Sequence, residues 1–109
     1  MNFCDWIDNP WLIIDASHDN CRVSPTKKDP LLQIEIVKEV LSKIIPDLKN
    51  KWINADDLIK WFMIESYIYD WNQKYINEES VLKWKSLTDP CIWKEKTEEL
   101  IAEMYEKLD

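Results

Sequence analysis

The densest group of chemistry-bearing side chains is the run Asp15-Ala16-Ser17-His18-Asp19-Asn20-Cys21, which contains the chain's one histidine. Asp15, His18, Asp19 and Cys21 are all of metal-ligand type, and carboxylate, imidazole and thiolate together can hold a divalent cation. Their spacing matches no zinc pattern, and the second pair of ligands that such sites need is missing. The same residues could form a Cys–His nucleophile pair with Asp15 orienting the ring. No glycine or recognisable oxyanion element accompanies them. Both readings give way to a solvated polar loop, so no metal, cofactor or catalytic residue is expected here. Paired carboxylates at Asp56-Asp57, Glu78-Glu79 and Glu98-Glu99 could do acid/base work if burial separated their pKa values. They fall in first turns or on a polar face, and are read as solvated surface. Cys4, Cys21 and Cys91 are odd in number, widely spaced and without a CxxC. That argues against a disulfide framework or a structural zinc and for a reducing compartment, with the thiols acting as small buried hydrophobes.

The strongest anomaly is aromatic. Seven tryptophans, Trp6, Trp11, Trp52, Trp61, Trp71, Trp84 and Trp93, occur in 109 residues. A domain of this size has difficulty burying seven indoles fully, and Trp and Tyr dominate interface hot spots. Trp61, Trp71, Trp84 and Trp93 fall on apolar stripes and are assigned to the core. Trp6, Trp52, Tyr67 and Tyr69 are the aromatics expected off it, as anchors for a partner.

The chain contains no glycine, where about seven or eight would be usual. Glycine supplies the positive φ of hairpin turns and allows close backbone approach to ligands. Its absence removes the phosphate-binding loop, the dinucleotide fingerprint and the nucleophile elbow, and disfavours a multi-hairpin β fold. Asn50 and Asn77 are placed to supply left-handed C-caps instead. The expected fold is all-α, a small bundle of four or five helices. It forms a single domain over 1–109, with 1–28 an N-terminal segment and loop and 29–109 the helical core.

Asp29-Pro30 is a cap-and-proline start, followed by Ile34, Val37, Leu41, Ile44 and Leu48 at helical spacing. Pro46 should end or kink that helix near Ile45. Asn54 is the next cap, opening a long central helix that carries Leu58, Trp61, Phe62, Ile64, Glu65, Ile68, Trp71 and Tyr75. Asn77 opens a short helix with Val81, Leu82, Trp84 and Leu87. Asp89-Pro90 repeats the start signal ahead of a last helix with Ile92, Trp93, Leu100, Ile101, Met104 and Tyr105 on one stripe. Asn9-Pro10 favours a short helix over Trp11 to Ala16, although Trp11-Leu12-Ile13-Ile14 fits a buried strand as well.

The net charge is −7, from 21 acids against 14 bases. Such a balance repels nucleic-acid phosphates and anionic membranes, and suits a basic partner surface. No apolar run approaches the roughly 20 residues of a membrane span. Asp5 and Asp8 stand where an export signal needs positive charge, so a cytoplasmic protein is expected. Together these features predict a non-enzymatic acidic protein that binds and blocks a larger, basic protein, plausibly a nucleic-acid-handling enzyme. By analogy of composition alone, phage-encoded anti-defence proteins and immunity proteins share this size and charge. The alternative is a structural subunit or adaptor. The partner-binding residues are then Trp6, Trp52, Tyr67 and Tyr69, with Glu95, Glu98, Glu99, Glu103 and Glu106 on the acidic face of the last helix.

Overall fold

The structure, a computed structural model, describes residues 11–51 and 58–108. Trp6, Trp52, Cys4, Asn54 and the Asp56-Asp57 pair lie outside them. The described residues open with an apolar, β-branched run that forms a strand, β1 (Leu12–Asp15). It pairs in parallel with β4 (Ile59–Met63), Ile13 opposite Trp61, Ile14 opposite Phe62 and Asp15 opposite Met63. Parallel strands cannot be joined by a tight turn and need a long crossover. Here the crossover is helical: α1 (Leu32–Glu39), a π-turn over Val40–Ile44, and α2 (Ile45–Asn50). Between β1 and α1 lies a small hairpin of β2 (Arg22–Ser24) and β3 (Lys27–Lys28). A long irregular stretch follows β4, and α3 (Lys94–Leu108) closes the chain.

The fold is therefore mixed α/β, and the expected all-α bundle is wrong. The error lies in the run Ile59-Lys60-Trp61-Phe62-Met63-Ile64. Its apolar positions fit a helical stripe, but a short continuous apolar run is also what a strand in a parallel sheet looks like. Pairing with β1 decides between the two, and tertiary context outweighs local propensity. The short helix expected after Asn77 is only a 3₁₀ turn over Glu78–Ser80. Asn77 does cap it: its side chain accepts from Ser80 N at 2.9 Å. Asn77 is thus an N-cap in extended conformation, not a left-handed C-cap, and α2 ends on Lys51 at φ −95°.

Asp29 Oδ1 accepts from Leu31 N at 3.0 Å ahead of α1. Pro46 does not end the helix. The wider π-turn just before it accommodates the missing N–H, and the helix continues to Asn50. The core is built from Ala16, Val37, Val40, Leu41, Ile45, Ile92 and Leu100. It ties the crossover helices and α3 to the β1 end. Lys38 on α1 also meets Glu103 on α3 at 3.6 Å.

Candidate metal centre

In a parallel β–α arrangement, ligand-binding groups collect beyond the carboxyl ends of the strands. His18 follows β1 by three residues and Glu65 follows β4 by two. Asp89 reaches the same place from the other side. Ile92 N donates to Glu65 O at 3.1 Å, and Tyr67 N donates to Ile92 O at 3.0 Å. These bonds lay the Cys91–Ile92 segment against the end of β4. One ligand-type atom from each of His18, Glu65 and Asp89 lies within 4.8 Å of the others.

Each side chain is held in place. His18 has φ 56°, a left-handed conformation that histidine adopts more readily than most residues and that concentrates at functional sites. Its Nδ1 lies 2.9 Å from Asp15 Oδ2 and its Nε2 lies 3.2 Å from Glu65 Oε1. Asp15 is in turn fixed by the buried Ser17, whose N and Oγ both donate to Oδ1, at 2.8 and 2.6 Å. The Ser17 hydroxyl, and then the His18 ring, hold the Asp15 carboxyl below its ordinary pKa. An anionic Asp15 keeps the proton on Nδ1, and a neutral His18 ring then presents the Nε2 lone pair toward Glu65. A carboxylate behind the imidazole is the usual support of a metal-binding histidine. Without a cation, the Asp15 hydrogen bond raises the His18 pKa.

Glu65 is half-buried. Burial, and then the Asp89 charge, push its pKa up. Its Oε2 is buried without a hydrogen-bond partner, a costly state for a carboxylate. Asp89 Oδ1 accepts from Lys28 Nζ on β3 at 3.0 Å, which raises the Lys28 pKa. A cleft of about 400 Å³ opens beside this pair, with Arg22, Trp71, Asn72 and Thr88 among its lining residues.

The donor set of one imidazole and two carboxylates suits a divalent transition metal. Ligand bonds of about 2.0–2.2 Å put two ligand atoms at most about 4.4 Å apart around one ion, so the cluster needs only a slight contraction. The orphaned Glu65 Oε2 is the atom that a cation would satisfy. The three residues thus fit a cation with coordination positions left open.

Sequence reasoning reached His18 and Asp15 but missed the site. Glu65 was placed on a helix stripe and Asp89 was read as a cap, and the fold brings them to His18 across 47 and 71 positions of sequence. The available signal was that His18 and Glu65 each closely follow an apolar, β-branched or aromatic run. The Cys–His pair does not form a nucleophile: Cys21 is buried, its Sγ donates to His18 O at 3.2 Å, and burial raises its pKa. Cys91 is likewise buried and free. Of the expected partner-binding residues, Tyr67 and Tyr69 are exposed on the stretch after β4. Glu95, Glu98, Glu99 and Glu106 are exposed on α3, while Glu103 is half-buried. Lys94 N donates to Ile68 O at 3.4 Å, which sets the start of α3 beside the segment that carries the two tyrosines.

Compared with known proteins, the chain matches no family model and no curated protein. Among solved structures it is similar to phospho-2-dehydro-3-deoxyheptonate aldolase from Francisella tularensis SCHU S4. The identity is 30% with a TM-score of 0.63, over 89% of this chain. The chain spans 24% of the length of that aldolase. Nothing in these comparisons supports the analogy with phage anti-defence or immunity proteins. No helix among the described residues is long and apolar enough to cross a membrane.

Proposed function

We propose that this chain provides the metal-holding corner of an aldolase-type active site. The observation that carries the reading is the convergence of His18, Glu65 and Asp89 within 4.8 Å beyond the carboxyl ends of two parallel strands. The similarity to an aldolase over 89% of the chain supports it. A bound divalent cation would act as a Lewis acid on a carbonyl oxygen. The chain's own residues have separate tasks. Asp15 holds the proton on His18 Nδ1, and Glu65 and Asp89 supply the charge that retains a cation. Lys28, paired with Asp89, holds a proton on Nζ next to the cleft, where it can also attract an anionic substrate group.

The test is activity of a polypeptide containing this chain in forming or cleaving phospho-2-dehydro-3-deoxyheptonate. Activity should disappear with a chelator and return with a divalent cation. Activity indifferent to chelation would contradict the reading. A second proposal, docking on a basic protein surface, is supported by the exposed Glu95, Glu98, Glu99 and Glu106 of α3. Reversing Glu98 and Glu99 to lysine should then slow association with such a partner, more so at low salt.

A further inference from the structure

Gln33 is fully buried at the start of α1. A buried amide must find its hydrogen bonds inside the protein, and this one spends them on a single residue. Its Oε1 accepts from Glu65 N at 2.7 Å and its Nε2 donates to Glu65 O at 3.3 Å. Both peptide groups of Glu65 are thereby held from the crossover helix. The same Glu65 carbonyl accepts from Ile92 N, three residues beyond Asp89. We infer that Gln33 is a positioning residue for the cation site, setting where the Glu65 carboxylate stands relative to Asp89 and His18. The inference rests on the cation-binding reading of the site. Groups that support metal ligands from behind typically change affinity by ~10–100-fold when lost.

The experiment titrates the purified chain with Co2+ alone, followed by visible absorption. Gln33→Met keeps the volume and removes both hydrogen bonds. Gln33→Glu keeps the acceptor for Glu65 N and removes the donor. Affinity should fall at least ~10-fold in Gln33→Met with an altered cobalt spectrum, and by less in Gln33→Glu. Circular dichroism identifies a variant that has failed to fold, and the Glu variant then carries the test. Unchanged affinity and spectrum in a folded variant overturn the positioning role. His18→Ala is the control: if it leaves cobalt binding intact, the cation reading itself fails.

A separate observation carries a second inference. The chain has no glycine and seven tryptophans, a near match to the seven or eight glycines expected at about 7%. Among the described residues, positive φ occurs at His18, Trp71 (58°) and Trp84 (67°). That region favours glycine, and a bulky residue there is a genuine outlier. Packing does not compensate at Trp84, which is 58% exposed. At Trp71 the backbone is fixed by bonds in both directions to Cys91, at 3.0 and 3.1 Å. We propose that positions 71 and 84 are glycine positions of this fold, and that the codon read here as tryptophan is translated as glycine in the organism that makes the protein. Peptide mass spectrometry of protein purified from that organism should show glycine at both positions. Tryptophan at both would overturn the proposal. In recombinant protein, Trp71→Gly and Trp84→Gly should raise Tm, and a fall in Tm would show that the indoles are needed.

Discussion

His18 is the residue on which the site's pH behaviour turns. With no cation, the Asp15 hydrogen bond raises its pKa, so the protonated ring bridges Asp15 and Glu65. That contribution to stability is complete below the ordinary histidine pKa and is lost as pH rises through the raised folded value. Cation binding runs the opposite way, because only the neutral ring can ligate. Affinity should climb as pH rises through the raised His18 pKa, while stability without cation declines. A flat affinity profile would remove His18 from the ligand set. Glu65 also has a raised pKa, from burial. Its ionised form therefore opposes folding at neutral pH, and the orphaned Oε2 shows where. Glu65→Gln is expected to keep or raise the Tm of the cation-free chain while losing cation binding. A folded variant that still binds as wild type would contradict this.

Among the elements, α3 was legible in the sequence because its stripe and its polar face are long and uninterrupted. Leu100 is buried and Ile101, its neighbour on the predicted stripe, is 56% exposed, so the buried face is narrower than the pattern implied. Leu100→Ala should cost about 2–5 kcal/mol, whereas Ile101→Ala should stay within about 0.5 kcal/mol, both measured by chemical denaturation. Equal losses would mean that α3 packs on the wider stripe. Asn77 as the opener of a helical turn was legible too, since capping is local chemistry, whereas the N-cap of α1 is Leu31 and not Asp29. The strand β4 was not, because a short apolar run has no decisive period and its partner β1 lies 47 positions earlier. The metal site shared that fate. Each ligand had a local explanation, and only the parallel pairing of β1 with β4 places His18 and Glu65 at one edge. Missing glycine misled as well: turns that favour it are present, at Trp71 and Trp84.

At the scale of the whole molecule, the chain is open. Its radius of gyration is 16.9 Å, against about 13 Å for a compact domain of 100 residues. Among the described residues the parallel sheet is two-stranded, and Ile13 and Trp61 are exposed on it. A groove of about 740 Å³ lies between β4 and α3, lined by Trp61, Ile64, Ile101 and Met104. Exposed apolar surface of this kind binds apolar probes. An apolar fluorescent dye should bind the chain, and Trp61→Ser with Ile101→Ser should reduce that binding. An unaltered signal would mean that the dye does not occupy this groove. The site is proposed to hold a cation through His18, Glu65 and Asp89. Calorimetric titration of the chain with Mn2+ at neutral pH tests it most directly. The wild type should bind about one ion per chain, with at least ~10-fold weaker binding in each of His18→Ala, Glu65→Gln and Asp89→Asn and circular dichroism unchanged. No binding by the wild type, or equal binding by all four proteins, would contradict it.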